Sequence, residues 1–427
     1  MFNAKSRLFD IWFSLCCGAG NREFPRVLEC FDSTFDLYMA EGSELESLPC
    51  SDKLKTRLAN KDLDEARRIL RRCDETGMEV LFWKDEDYPI ALRSLQDPPA
   101  LLYYMGKFPD LRSQLGVGVV GTRRMTEYGK RTAYRIGYEL ASAGAVVISG
   151  MALGIDGVAA GGAILAGGAT VAVLGCGLDR PYPAEHNALF EEIVRTGVAV
   201  SEYPPGTPPN RWQFPQRNRI ISGLSRCTVV VEAALRSGSL ITAHDAILQG
   251  REVFAFPGNV GDPTASGTNE LLSQGATMIL RSRDLLERYN SDDILLNMDA
   301  LERAERESLA DEEGLADLGV CLRAERSKSS SAPTNSARKE DTPPARRGSG
   351  SRSAHSIPAR GDTSEQILKS LPDIQRRMFE ALPLDHAVNV DYLTREGFAV
   401  GEIMSTMMQL EIKGLTVSLP GGLYARK

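Results

Sequence analysis

The sequence lacks the marks of a membrane, secreted or metal-dependent protein. No apolar run is long enough to span a bilayer, so no membrane partner is expected. The apolar piece Ile11–Cys17 follows Asp10, is interrupted by Ser14 and carries no small-residue cleavage pattern, so no signal peptide is expected. The eight cysteines are scattered, and Cys16 and Cys17 are adjacent rather than spaced C-x-x-C. Neither a zinc site nor a disulfide framework follows, and a reducing cytoplasm is the expected compartment. His244 has no second metal ligand at helical spacing. There is no P-loop lysine, and no nucleophile, base and orienting group form a triad. These absences favour a binder over an enzyme, with no cofactor.

An excess of basic charge is also missing. The formal net charge over 427 residues is −7, which argues against a nucleic-acid partner until it is divided along the chain. Asp284–Asp317 carries a net −9 and Leu322–Thr363 a net +5. The bulk field therefore decides nothing, and any binding of DNA must come from a local patch.

What is present is organised around residues 116–149. Val117, Val119 and Val120 form a short apolar run without polar alternation, the pattern of a strand covered on both faces. Thr126 is the expected N-cap of a helix that runs to Gly144, and Ala145–Ile148 is the next strand. Gly116, Gly118 and Gly121 spell G-x-G-x-x-G, but the strand here contains the first glycines instead of preceding them. The second strand also ends at Ser149-Gly150, without an acid for a ribose. A dinucleotide site is therefore rejected. The turn of Gly121, Thr122, Arg123 and Arg124 instead offers backbone N–H groups beside two guanidinium groups, chemistry suited to phosphate.

Strand and helix alternate from Gly116 to about Leu286, with further strands at Thr170–Leu174, Val198–Ser201, Thr228–Glu232, Val253–Phe256 and Thr277–Leu280. The pattern predicts an α/β fold, a doubly wound sheet with its crevice at the carboxyl ends of the strands. Before it, residues 1–75 read as a small helical domain and Val80–Gly106 as an extended connector. After it, Leu285–Leu318 is acidic with leucines at helical spacing and is assigned no fold. Cys321–Thr363, rich in Ser, Pro, Arg and Ala, reads as a disordered linker. Ser364–Lys427 reads as short helices and a terminal hairpin, a winged helix whose expected recognition helix carries Glu402 and Glu411 and only Lys413. Acids there repel phosphate. The expected divisions are thus 1–75, 76–290, 291–363 and 364–427.

Four strand ends carry the chemistry. The first is the Gly121–Arg124 turn. In the second, Ser149, Gly150, Ala152 and Gly154 let backbone approach a ligand or merely allow a tight crossover, and Asp156 can cap the helix. In the third, Gly175 and Gly177 follow a strand, while Asp179 and Asn187 read as loop ties. In the fourth, Ser237, Gly238 and Ser239 open a helix, an anion site. Between the last two, Arg217, Asn218 and Arg219 follow Trp212 and Phe214, an interleaving that clamps phosphate and stacks bases. The bland reading of that stretch is a structural ion-pair cluster with Trp212 and Phe214 as core.

The motifs VVGTRR, SGMALGIDGVAAGGAI, VLGCGLDRPYPAEHN, SEYPPGTPPNRWQFPQRNRIISGLS, VVVEAALRSGSLITAHDAILQGREVFAFPG and SGTNELLSQGA occur in one order over about Tyr88–Leu280. Together they resemble the DNA-processing protein A (DprA/Smf) family. The resemblance implies a cytoplasmic bacterial protein with an extended Rossmann-like domain that binds single-stranded DNA, forms a homodimer and loads the RecA recombinase during natural transformation. It also implies a helical domain of sterile-alpha-motif (SAM-like) type before that domain and a winged helix after it. Gly121, Thr122 and Arg123, the Ser149-Gly150 loop and the Gly175–Gly177 turn would line the DNA pocket. Ala184 departs from the family, which commonly has Lys or Arg after Tyr-Pro. The alternative reading is a small-nucleotide enzyme or sensor using the same crevice, akin to phosphoribohydrolases, although their P-G-G-x-G-T-x-x-E loop is absent after Val231-Glu232.

Overall fold

The computed structural model describes residues 4–291, 294, 296–307 and 311–322, then 371–383, 388, 390–398, 403, 406–407, 409–411, 415–419 and 423–426. Met1–Ala332 and Pro333–Lys427 are two separate compact units.

The first unit begins with six helices: α1 (Ala4–Cys17), α2 (Phe24–Leu28), α3 (Thr34–Met39), α4 (Ser43–Glu46), α5 (Asp52–Ala59) and α6 (Asp64–Thr76). Their apolar stripes, including Ile11, Phe13, Phe24, Leu37, Leu58 and Ile69, are buried in a core continuous with that of the following sheet. The basic cluster of α6 is a salt-bridged face, with Arg67 on Asp64 and Arg68 on Glu65.

The connector expected over Val80–Gly106 is instead part of the sheet. It supplies β1 (Glu79–Phe82) and β2 (Leu101–Gly106), with the short α7 (Ile90–Arg93) between them. They pair antiparallel with each other, and β2 pairs antiparallel with β6. The Asp97-Pro98-Pro99 turn had obscured the match of Val80-Leu81-Phe82 with Leu101-Leu102-Tyr103.

Seven further strands and their crossovers follow: β3 (Gly116–Val120), α8 (Glu127–Ser142), β4 (Val146–Ser149), α9 (Ile155–Leu165), β5 (Thr170–Leu174), α10 (Asn187–Thr196), β6 (Val198–Ser201), α11 (Gln213–Leu224), β7 (Cys227–Val230), α12 (Ser239–Leu248), β8 (Glu252–Ala255), α13 (Ser266–Ser273) and β9 (Thr277–Met278). The nine-stranded order is β1-β2-β6-β5-β4-β3-β7-β8-β9, and β6 through β9 are parallel. Both faces are buried. Val117, Val147, Ala172 and Ala199 enter one core, and Val120, Ile148, Val171 and Val200 the other, the reason these strands read as unbroken apolar runs. The chain runs from β3 towards β6 and then returns to the other flank of β3 at β7. The turn after β3 thus sits at the topological switch point, where a crevice opens in sheets of this kind.

The acidic segment, assigned no fold from its composition, is folded. It forms α14 (Ser282–Tyr289), α15 (Met298–Glu307) and α16 (Glu312–Asp317). Leu301 and Leu315 are fully buried, with α15 packed on α8 and α16 on α9. Lys130 pairs with Glu312, and Arg283 with Glu305 at 2.8 Å. The helically spaced leucines found an apolar surface, and the acids face outward or meet cations. The linker expected over Cys321–Thr363 lies, from residue 323, outside the described residues.

In the second unit, α17 (Asp373–Ala381), α18 (Val390–Arg395) and the antiparallel pair β10 (Thr416–Leu419) and β11 (Leu423–Arg426) enclose a core containing Met378, Phe379, Leu393, Ile403 and Leu410. Glu402 and Lys413 lie outside the described residues, as does most of the helix expected from Ser364. No helix among the described residues is long and apolar enough to cross a membrane.

Leu301→Ala should destabilise the first unit by about 2–4 kcal/mol, the usual cost of emptying a buried leucine site. Urea melts of variant and parent compare the two, and coincident midpoints would mean that α15 contributes no packing.

Candidate nucleic-acid interface

Three strand ends and the start of α11 converge on one crevice. It is lined by Arg123 after β3, Gly150, Ala152 and Leu153 after β4, Tyr182 and Pro183 after β5, and Phe214 and Arg217 of α11. Arg123 lies 5.2 Å from the Phe214 ring centroid and Arg217 lies 5.9 Å from it. The Tyr182 ring is tilted against Phe214 at 5.6 Å. Two guanidinium groups and two aromatic rings therefore share one opening.

The β3 turn is fixed by a long-range bond and by local ones. Thr122 N donates to Glu232 O at 2.7 Å, and Arg124 N donates to Thr122 Oγ1 at 3.2 Å. Thr126 caps α8, its side chain accepting from Gly129 N at 3.1 Å. The turn is thus held by its own polar groups and by Glu232, while the Arg123 and Arg124 side chains are exposed.

The second loop is built on a buried carboxylate. Asp156 accepts from Gly150 N at 3.1 Å, and its oxygens also meet the Ala152 and Gly121 N–H groups. Burial raises its carboxyl above the usual range, opposed by the Arg217 charge and those three donors. A Cβ on Gly150 would lie 2.6 Å from Arg217 Nη2 and 2.8 Å from Asp156 Oδ2, so only glycine lets the two charges close around the backbone. Gly154 has φ +82°, and a side chain there would also strike Thr122 O at 2.3 Å. Met151, fully buried between them, takes φ 52°, a conformation costing a non-glycine residue about 1 kcal/mol or more. His186 holds it from below. Its Nε2 accepts from Cys321 N at 3.2 Å, so the proton sits on Nδ1, which donates to Met151 O at 3.1 Å. Burial lowers the His186 pKa, consistent with a neutral ring.

Arg217 is the crevice floor. Only 4% exposed, it donates from Nη1 to Gly150 O at 3.0 Å and to Val173 O, tying the ends of β4 and β5 together. Burial pulls its pKa down to about 10, which leaves it cationic at neutral pH.

Not every residue singled out from the sequence faces this opening. Arg219 is a correction: it is 5% exposed, with Glu202 at 2.7 Å and Asp97 at 3.3 Å. The structural ion-pair reading holds for it. Ser149 is a second correction, for its buried hydroxyl donates to Val119 O at 2.8 Å and ties β4 to β3. Gly175 lies beneath Phe214, and Gly177 N donates to Thr207 O at 3.0 Å. Asp179 ties its loop as expected, accepting from Gly206 N at 2.8 Å, and pairs with Arg72 of α6 at 3.3 Å. Asn218 reaches Gly238 O at 3.4 Å, which brings the Ser237–Ser239 turn at the start of α12 beside the Arg217 end of α11. Ser237 and Ser239 bond to each other at 2.8 Å. Trp212 is not core: it is 61% exposed, its ring edge-on to Tyr203 at 6.1 Å.

The sequence had not marked Tyr182 as a lining group. The only signal was an aromatic beside a proline after a glycine turn; its peptide bond to Pro183 is cis. Ala184, next to it, is exposed.

Comparison with known proteins gives a consistent picture. The family model for DNA recombination-mediator protein A matches residues 79–290. DNA processing protein DprA of Bacillus subtilis is 42% identical over 220 residues, 52% of this chain and 74% of that protein. Protein Smf of Synechocystis is 35% identical over 364 residues, 84% of this chain and 83% of that protein. The X-ray structure of DNA processing protein A from Streptococcus pneumoniae superposes with a TM-score of 0.58 at 32% identity, covering 66% of this chain and 97% of that one.

Arg219→Ala should cost about 3–5 kcal/mol of stability, because it strands the buried Glu202 carboxylate. Asn218→Ala, one residue away, should stay within about 1 kcal/mol. Denaturant melts of the pair provide the check; equal losses would contradict the assignment of Arg219 to the scaffold.

Proposed function

The chain belongs to the DNA recombination-mediator protein A family, and from that premise we propose that the crevice at the ends of β3, β4 and β5 binds single-stranded DNA. One observation carries the reading: Arg123 and Arg217 meet the Tyr182 and Phe214 rings at the switch point of the sheet. Cations that track a backbone beside rings on which bases stack are how single strands are held without sequence readout. The exposed Arg124 and Trp212 extend both features beyond the crevice, and the Ser237–Ser239 turn adds a helix N-terminus.

The finer reading follows the resemblance. The protein acts as a binder and not an enzyme, in the cytoplasm, and passes the bound strand to the RecA recombinase during transformation and recombination. It works as a homodimer, and the exposed Ile247, Leu248, Met278 and Leu280 supply apolar surface for self-association. Residues 1–75 are a SAM-like domain, 76–290 the extended Rossmann-like DNA-binding domain, 291–363 the acidic segment and linker, and 364–427 a winged helix.

Arg123→Ala should weaken binding to an oligo-dT strand and reduce the salt slope of log K by about 0.7, the share of one phosphate contact. Isotherms at several salt concentrations test it, and an unaltered slope in a folded variant would remove Arg123 from the site. A second test adds charge. Ala184→Lys, exposed beside Tyr182-Pro183, should tighten binding at low salt, and the gain should fade as the Debye length shrinks to about 8 Å near 0.15 M. Equal low-salt affinities would place that turn outside the DNA path.

A further inference from the structure

A second cleft, of about 810 Å³, opens at the carboxyl ends of β7 and β8, across the Thr122–Thr126 turn from the Arg123 crevice. Glu232, Asp262, Asn259 and Thr264 give it polar walls, and Tyr128 and Phe256 aromatic ones. Its size is that of a small-molecule site. Glu232 is what distinguishes it from a surface hollow. The residue is 3% exposed; Oε2 accepts from Thr126 N at 3.0 Å and from Thr126 Oγ1 at 3.2 Å, while the equally buried Oε1 has no hydrogen-bond partner. The nearby Thr264 hydroxyl donates to Asp262 Oδ1 at 2.8 Å. A buried acceptor left without donors is costly. Burial raises the Glu232 carboxyl above its usual range, opposed by the Thr126 N–H and by the Thr264 and Thr126 hydroxyls; it is the unpartnered Oε1 that asks for a donor from outside the chain.

The lining narrows what those donors belong to. Two carboxylates repel phosphate, so this cleft does not duplicate the first. No group of three His, Cys, Asp or Glu among the described residues is placed to hold a metal ion. Tyr128, whose hydroxyl donates to Pro257 O at 3.0 Å, is braced at the opening with its ring half-exposed. A flat heterocycle with adjacent N–H donors answers both features, stacking on the ring and donating to carboxylate. Among the common bases guanine alone carries a ring N1–H beside an exocyclic amine on one edge; adenine and cytosine present an acceptor beside theirs, and thymine has a single N–H between carbonyls.

We propose that this cleft is a guanine-binding site, in which the Glu232 and Asp262 carboxylates accept from the N1–H and N2 amine and Tyr128 stacks on the ring. The base arrives either as a free nucleoside or as one residue of a strand held at Arg123. The second source rests on the DNA-binding reading above; the first does not.

The test uses the full chain. Equilibrium dialysis with guanosine, inosine and adenosine should give saturable guanosine binding, at least tenfold weaker inosine binding for want of the amine, and no adenosine binding. In parallel, an oligo-dT strand with one central dG should bind more tightly than all-dT. Glu232→Gln, which replaces one acceptor with a donor, should abolish the preference, and Asp262→Asn should weaken it in case the first variant does not fold. Guanosine binding lost in these variants supports the site with a free ligand. A dG preference lost in them, without guanosine binding, supports it with the strand as source. Neither effect in a parent protein that still binds oligo-dT through Arg123 overturns the proposal and leaves the first reading intact. Equal binding of L-arginine and guanosine also overturns it, by showing a site for any planar donor.

Discussion

The Asp156 carboxylate and the Arg217 guanidinium, closed around Gly150 beneath the surface, are the arrangement on which the crevice depends. Asp156 draws in N–H groups from the ends of β3 and β4, and Arg217 draws in carbonyls from the ends of β4 and β5. Taking two charges out of water costs several kcal/mol each, and their attraction alone does not guarantee a gain. Here Asp156 takes backbone N–H groups and Arg217 Nη1 takes backbone carbonyls, so the same bonds that offset desolvation also fix the loops. A cation held in this way needs no reorganisation to meet an anion, and it acts where water screens it poorly. Arg123, exposed and packed on Phe214, contributes the opposite quality: a charge free to follow a moving chain.

Arg217 and Arg219 show how one helix divides such charges. Two residues apart, they point about 200° away from each other. One therefore reaches the ends of β4 and β5 while the other reaches Glu202, just past the end of β6, and Asp97. That carboxylate also accepts from Gly20 N at 3.1 Å, and Gln216 Nε2 donates to Ala19 O at 2.6 Å. The α1–α2 loop is thus fastened to the same helix that presents Arg217 and Phe214. Loss of the Arg219 pair would disturb the crevice only through this scaffold.

The parallel strands were legible because burial on both faces leaves an unbroken apolar run; Thr170–Leu174 and Val198–Ser201 appear in the structure with the bounds read from sequence. The Thr126 cap was legible because its chemistry is local. The antiparallel β1 and β2 were not, since their pairing depends on a partner distant in sequence and a double proline masks the lead-in. The acidic helices were obscured by composition, because charge count describes the outer face and Leu301 and Leu315 decide the inner one. In the site, residue types were legible and directions were not. Ser149 and Gly150 are neighbours in a strand end, yet one hydroxyl is spent on Val119 O while the next backbone group meets the charges. Glu232 gave no signal at all, because a carboxylate's missing partner is visible only in three dimensions.

The net charge of −7 fails as a guide for the same reason. The six-residue turn from Gly121 to Thr126 separates a cationic crevice from an acidic cleft, with Arg123 lining the first and Thr126 the second. At physiological salt, charges farther apart than about 8 Å scarcely feel each other across solvent, so each side keeps its own sign. The turn is rigid on account of Glu232, which takes Thr122 N on its carbonyl and Thr126 N on its carboxylate. The residue that holds Arg123 in place is therefore the same one that leaves an acceptor open on the far side. The turn that carries Arg123 and the wall of the acidic cleft thus share one side chain.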